Sequence, residues 1–453
     1  CSFCVANMRT DCDGIFSSRQ AQSLLQTESQ VALSVASCNS DAGCAFESAK
    51  VVKELGFASA GSGVLVLANT LLGGSGLLGM PAALAQAGYT LGMVFMAIFG
   101  GCSAFGCHLL QCSARRIGQA PCSFYTVSNA VAPRWTWLID SAVMMKCFGV
   151  ATSYLIIVGD LAPPALTFFG FRHVHRWEVI LIGFALAGSL ACCKNLSGLK
   201  FTAAGSLLIV IWTVVLIILF VIQPSQAFEP CGHKEELPCG HAEAKAVNLS
   251  DPWALGKALP VFIFGFTCQQ NIFSICNEVR NTTCRRIDGI IATAYLICFT
   301  LMSLASVLGY LTFGDDISSD VLKGYPHNSV VAVTRLLYSA LALFSYPLQI
   351  HPSRTSALAL MDLVRPATGG AHRWAAVTLL ELIGSLLIAI TVMDLGKVLG
   401  VVGATGSTMV SYILPGIVYV QTFRNFHGKR ILAFGQLILG CIIMPVCLVL
   451  LFL

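Results

Sequence analysis

Asn69-Thr70-Leu71-Leu72-Gly73-Gly74-Ser75-Gly76-Leu77-Leu78-Gly79-Met80-Pro81 lies within a run, Leu55 to Ala114, that has no Asp, Glu, Lys or Arg. The run is sixty residues long, about three times the roughly 20 that cross a bilayer as a helix. Yet Gly73, Gly74, Ser75, Gly76 and Pro81 fall within nine residues of it. Glycine and proline weaken a helix, and here they do so at membrane depth. Backbone freed in hydrocarbon must find partners, so an interruption is tolerated where protein or a polar cavity surrounds it. A helix broken near the midplane offers amides at the start of one half and carbonyls at the end of the other, the arrangement that holds solutes and ions in secondary transporters. The competing reading is a glycine-rich packing face.

Outward from this stretch, the composition agrees with a membrane setting. Over 453 residues the hydrophobic fraction is 56%, charged residues are 11% and the mean hydropathy is +0.77, whereas soluble domains carry about 25% charged residues. The chain reads as an all-α polytopic membrane protein. Its net charge of +5 belongs to loops, and no basic patch interleaved with aromatics points to nucleic acid. Of twenty cysteines, Cys102, Cys107, Cys147, Cys192, Cys193, Cys441 and Cys447 lie in apolar runs, where Cys acts as a small hydrophobe. Cys1-x-x-Cys4 has no second pair at zinc spacing. Residues 1–50 contain no apolar segment of signal-peptide type. The chain begins at Cys1 without a Met, which leaves its start open.

Residues 1–55 are polar and Ser/Gln-rich, and read as a disordered cytosolic tail with a short helix near Ser23–Ala36. Residues 56–453 read as a transmembrane domain of about eleven spans: 57–86, 89–113, 135–161, 177–193, 200–222, 258–278, 288–312, 330–350, 374–392, 396–420 and 430–453. Pro163-Pro164 is expected to end the third. With the N-terminus cytosolic, sixteen Lys and Arg fall on the cytosolic side and seven on the other, as the positive-inside rule requires. The C-terminus is then lumenal or extracellular. The longest loop on that side, 223–257, holds Cys231 and Cys239, a candidate disulfide in an oxidising compartment, and the sequon Asn248-Leu249-Ser250, a candidate glycosylation site. The sequons at Asn195 and Asn281 fall on the cytosolic side and are expected to stay unmodified.

A second interruption stands in the sixth span, Pro260-Val261-Phe262-Ile263-Phe264-Gly265-Phe266-Thr267-Cys268-Gln269-Gln270-Asn271. Three amides and a threonine inside an apolar helix are costly in lipid and must face a cavity, a partner helix or a solute. The eighth span carries Ser345-Tyr346-Pro347-Leu348-Gln349-Ile350-His351-Pro352-Ser353-Arg354. Spans one and six stand five apart, as equivalent helices of two inverted repeats would.

Together these motifs, with Gly149-Val150-Ala151-Thr152-Ser153-Tyr154 in the third span, resemble the amino acid/auxin permease family, in particular the fungal vacuolar amino acid transporters and the sodium-coupled neutral amino acid transporters of animals. The resemblance spans about 57–453. It implies a LeuT-type fold, two inverted five-span repeats plus one extra helix, and movement of amino acids by alternating access, as symport or antiport with H+ or Na+. It also places Asn69 and Ser345 where the sodium-coupled relatives hold a cation. The fungal members commonly carry a His after the Thr-Cys of span six, where this chain has Gln269, so the coupling ion stays open.

Chemically, an amino acid presents a carboxylate, an ammonium and a side chain. Amides after Gly73, Gly74, Ser75 and Gly76 suit the carboxylate at a positive helix start. The carbonyl end near Asn69–Leu72, with Thr267 and Phe264, suits the ammonium, and Gln269, Gln270 and Asn271 are candidates for the side chain. These amides equally suit bonds to neighbouring helices. Asn69 and Ser345 supply oxygens fit for a hard cation such as sodium. For protons, the ionisable candidates are Asp140, Lys146, His351 and Glu381. Arg335 and Asp394 read as solvated outer-end residues. No catalytic motif, Walker A or cofactor signature is present, so the chain reads as a transporter and not an enzyme. The alternative is a transporter-like sensor that binds amino acids without flux. The sequence leaves the membrane open, between a vacuolar or lysosomal type and the plasma membrane, and leaves the oligomeric state open.

Overall fold

A computed structural model describes residues 59–452 apart from 74, 119–121, 132, 173, 193–201, 226–227, 231–243, 281, 365–369 and 426–427. The tail 1–55, Gly74, Cys231, Cys239, Asn195 and Asn281 therefore lie outside the described residues.

The described residues fold into helices. The first span is a pair, α1 (Ala60–Leu72) and α2 (Gly76–Ala87), bent by 54° at the glycines. Then follow α3 (Tyr89–Ile117), the short α4 (Phe124–Val131), α5 (Thr136–Phe168), α6 (Arg176–Ala191) and α7 (Thr202–Ile222). The second half holds α8 (Pro252–Gly265), α9 (Ile272–Glu278), α10 (Cys284–Phe313), α11 (Ser329–Val364) and α12 (Gly370–Thr391). It ends with α13 (Leu395–Val402), α14 (Leu414–Thr422) and α15 (Gly428–Phe452). Between α13 and α14 the backbone widens into π-helix over Gly403–Ser407 and Met409–Ile413.

Among the described residues, nine helical stretches are long and apolar enough to cross a membrane, and the bent pair makes a tenth. The sequence alone suggests eleven. The eleventh is α6, whose 16 residues end beside residues 193–201, which lie outside the described ones, and which packs as the fourth span. One expectation fails. α5 runs through Pro163 and Pro164 to Phe168 instead of ending at them. The two prolines remove two helix donors near the helix end, while packing holds the rod: 83% of its apolar stretch is buried, against 17% for α15.

The packing pattern shows the repeat. α5 and α11 form the most extensive helix pair. α6 packs on α11 as α12 packs on α5, and α7 packs on α11 as α13 packs on α5. Likewise α1 packs on α10 while α8 and α9 pack on α3. Exchanging spans one to five with six to ten maps each contact onto another. α15 stands outside this pattern, against α14 and α8. Successive spans alternate in direction, so one membrane face gathers Arg115, Arg116, Arg134, Arg285, Arg286, Arg373, Arg424, Lys429 and Arg430. The opposite face carries Asn248, which is half-buried and donates its amide to Ala85 O at 3.3 Å.

On that opposite face, charges tie helix ends together. Asp160 at the end of α5 pairs with Arg176 at 2.8 Å and Lys323 at 2.7 Å. Arg176 also donates to Ala389 O at 2.9 Å and Val392 O at 3.2 Å, capping α12. Arg335, which reads from sequence as solvated, is only 2% exposed. Its guanidinium donates to Leu322 O at 2.8 Å and Tyr325 O at 2.7 Å. The reason is local: the one-turn helix Val321–Lys323 leaves carbonyls unpaired, and a five-donor fork satisfies several at once. Asp394 does stand near the surface, where it caps α13 through Gly396 N.

Candidate substrate site at the two helix breaks

At the first break α1 closes with Gly73 N donating to Asn69 O at 2.7 Å. A Cβ on Gly73 would stand 2.5 Å from that oxygen and 2.7 Å from Asn69 Oδ1, so only glycine turns the chain here. α2 restarts at Gly76. Its first amides, like those of any helix start, lack intrahelical acceptors. Ser75 is fully buried and its Oγ bonds Ser153 Oγ of α5 at 2.8 Å. Gly76 faces the second break: a Cβ there would lie 3.2 Å from Gly265 Cα and 3.6 Å from the Phe264 ring.

At the second break α8 ends at Gly265, Phe266 to Cys268 leave the helix, and a single 3-10 turn, Gln269–Asn271, leads into α9. The carbonyls released there are met by protein donors. Phe266 O accepts from Ser103 Oγ at 2.6 Å and Tyr295 OH at 3.1 Å. Thr267 O accepts from Lys146 Nζ at 3.3 Å. Gln269, fully buried, uses its whole amide on protein. Its Nε2 donates to Ser103 O and Oγ at 3.1 and 2.7 Å. Its Oε1 accepts from Cys268 N at 3.0 Å and Ser411 Oγ at 2.8 Å. Thr267 Oγ1 donates to Ile263 O at 2.8 Å and accepts from Ser411 at 3.0 Å.

One bond stitches the two breaks: Asn271 Nδ2 donates to Thr70 Oγ1 at 2.5 Å. The residues flanking it, Asn69 and Gln270, each hold a buried side-chain oxygen, Oδ1 and Oε1, with no hydrogen-bond partner among the described residues. Buried acceptors are nearly always paired, and leaving one unpaired costs about 1–3 kcal/mol. Each of these oxygens is borne by the residue next in sequence to one end of the interhelical bond, and the amides that open α2 follow a few residues after Asn69.

The remaining sequence candidates separate. Ser345 and Gln349 lie beside the Tyr154 hydroxyl of α5. Asp140 lies beside Ser356. Glu381 accepts from Ser353 Oγ at 2.7 Å, and its Oε2 has no partner among the described residues. Half-buried His351 lies one turn before Arg354, which donates to Ala191 O at 2.9 Å and sits 4.4 Å over the Trp374 ring. These groups belong to the junction of α5, α11 and α12. Of the four ionisable candidates, Lys146 is the one whose recorded bond reaches a break.

Sequence reasoning missed Ser103, Tyr295 and Ser411. A signal for the last was present: Gly400, Gly403, Thr405, Gly406, Ser407, Thr408 and Ser411 punctuate an apolar span. A Cβ on Gly403 would stand 2.0 Å from Pro260 O, and one on Gly406 2.7 Å from Lys146 N. These close approaches accompany the π-helical widening, which often marks functional sites.

Comparison with known proteins identifies the family and the fold. A family model described as "Transmembrane amino acid transporter protein" matches residues 56–453. The chain is 32% identical over 406 residues to Vacuolar amino acid transporter 5 of Schizosaccharomyces pombe, covering 85% of this chain and 93% of the relative. It is 24% identical over 431 residues to Sodium-coupled neutral amino acid symporter 2 of Danio rerio, covering 86% and 81%. Among solved structures, a mutant manganese transporter of Eremococcus coleocola superposes with a TM-score of 0.55 at 12% identity, covering 91% of this chain and 88% of that one, which establishes a shared LeuT-like fold. The chain is a multi-pass membrane protein that belongs to the transmembrane amino acid transporter family, the amino acid/auxin permeases its motifs resemble.

Proposed function

We propose that the chain moves amino acids across a membrane by alternating access, driven by a coupled H+ or Na+ gradient, with its substrate held at the two breaks. The observation that carries this reading is the pair of buried oxygens without a partner among the described residues, Asn69 Oδ1 and Gln270 Oε1, on the residues next in sequence to the Thr70–Asn271 bond. A substrate ammonium would donate to them. The carboxylate would take the open amides at the start of α2, where the helix dipole adds attraction. Phe264, packed beside Gly76, would line the side-chain end. Gln269 falls out of direct contact, because every hydrogen-bonding position on its amide is taken.

Lys146 would carry the coupling in the proton case. As an ammonium it binds Thr267 O at the end of α8; without its proton it loses charge there, and the half-helix is freer to swing. In the sodium case Asn69 Oδ1 would be a ligand, as the name of the Danio rerio relative invites. The names of the fungal relatives favour a vacuolar-type membrane, with the basic face and the N-terminus cytosolic and Asn248 lumenal. The test is uptake of labelled amino acids by reconstituted vesicles with pH and sodium gradients imposed separately. Accumulation under either gradient is expected. Saturable binding without flux under any gradient would leave a sensor instead.

A further inference from the structure

We propose that Cys107 and Cys268 form a dithiol that peroxide closes to a disulfide, covalently fixing the second break to α3 and stopping transport. The inference rests on the transport reading and adds regulation at the same site. The two sulfurs come from different elements, α3 and the non-helical Phe266–Cys268 segment, and lie 3.8 Å apart. Both residues are fully buried. Tyr295 OH touches both sulfurs, at 3.7 Å from Cys107 and 3.2 Å from Cys268. A disulfide bond is about 2.05 Å long, so closure asks the sulfurs to approach by less than about 2 Å. Cys268 can supply that movement, since its segment lacks the hydrogen-bond ladder of a helix. Lys146, bound to the carbonyl of the preceding residue Thr267, places positive charge beside the thiol that must attack as thiolate.

The chemistry balances with a hydroperoxide as oxidant. The Cys268 thiolate attacks one peroxide oxygen, the O–O bond breaks, and hydroxide leaves to be protonated to water, giving a sulfenic acid. Cys107, losing its proton, then attacks that sulfur; the S–O bond breaks and a second water leaves. Two thiols lose two electrons and one hydrogen peroxide is reduced to two waters. The consequence follows from the bonds already present. Ser103 of α3 holds Phe266 O and Gln269, so the break hangs on α3 by polar bonds that can exchange. A disulfide at the same place cannot exchange without a reductant, and α8 and α9 can no longer move relative to α3. Small neutral peroxide reaches the pair when the break opens during the cycle.

The experiment uses the full chain reconstituted in vesicles and treated with hydrogen peroxide, then with dithiothreitol. After alkylation of remaining thiols, mass spectrometry reads the peptide linking Cys107 to Cys268, and amino acid flux is measured on the same sample. A linked peptide is expected, with about a tenfold loss of flux, set by how completely the dithiol closes, and recovery on reduction. Cys107→Ser, with Cys107→Ala as a second variant in case the hydroxyl is not tolerated, should keep its untreated flux and lose the peroxide response. Cys298→Ser should leave the linked peptide intact. Absence of the linked peptide, or its presence with unchanged flux, overturns the proposal. So does an undiminished peroxide response in a Cys107 variant that transports normally. A preparation that moves no amino acid even untreated would count against the transport reading, and the peptide alone would then decide the dithiol.

Discussion

The two helix breaks occupy equivalent places in the two repeats, yet they are finished in opposite ways. The first is made of glycines: a Cβ on Gly73 would stand 2.5 Å from Asn69 O and one on Gly76 3.2 Å from Gly265 Cα, and Asn69 Oδ1 has no partner among the described residues. The second is dressed with donors from Ser103, Tyr295, Lys146 and Ser411, and Gln269 joins three elements through one amide. The first break rests on bare main chain, while the second is held by its neighbours, with Gln270 Oε1 left without a partner among the described residues. Inverted repeats give the same geometry twice, and side-chain chemistry then assigns a different task to each copy.

The sharpest way to break this contrast is Gly76→Val. A branched side chain 3.2 Å from Gly265 Cα must push α2 from α8, and a displacement near 1 Å at a reacting or binding centre costs about a hundredfold. Flux should vanish while the protein still reaches the membrane; normal uptake by this variant would remove the first break from the site. Next in size, Lys146→Met should lower flux about tenfold and make what remains indifferent to an imposed pH gradient. Retained pH-driven accumulation would move proton coupling to Glu381, whose free Oε2 is also buried. Asn69→Ala and Gln269→Ala compare the breaks directly. Asn69→Ala should weaken amino acid binding about tenfold, one hydrogen bond to a charged group, with little change in melting temperature. Gln269→Ala should do the reverse, destabilising the fold by about 1–3 kcal/mol through orphaned partners, with affinity near normal. The same response from both would erase the distinction.

The smallest expected effect on flux lies far from the breaks, at Asp320. Burial pushes this carboxyl up to about 7 from an ordinary 3.8, nearby Asp160 adds to the rise, and Lys323 and Arg335 oppose it. The folded protein therefore holds this proton more tightly than the unfolded chain does. The stabilisation is complete below about pH 4 and is lost as pH climbs through about 7. Thermal unfolding at pH 5 and pH 8 should show higher stability at pH 5, and Asp320→Asn should flatten the difference. An unaltered pH dependence in that variant would assign the effect to another group.

Much of this was legible because glycine, proline and amides are conspicuous in apolar spans. Gly73–Gly76 and Thr267–Asn271 announced both breaks, and their five-span spacing announced the repeat. What stayed hidden depended on distance along the chain. Gln269 is saturated by Ser103 and Ser411, which stand 166 and 142 residues away, and no local pattern reveals that pairing. Arg335 read as a solvated end because its partners are main-chain carbonyls, which any residue carries. Pro163-Pro164 read as a stop because propensity is local, while the packing of α5 against α11 is not. The π-helical widening between α13 and α14 likewise comes from Gly403 and Gly406 seating other backbones.

The most direct test is a density map of the protein in lipid nanodiscs with a transported amino acid bound. The account predicts the carboxylate at the amides that open α2 and the ammonium within hydrogen-bond reach of Asn69 and Gln270. An amino acid bound elsewhere, with those two oxygens turned to protein partners and the breaks filled by side chains, would contradict it.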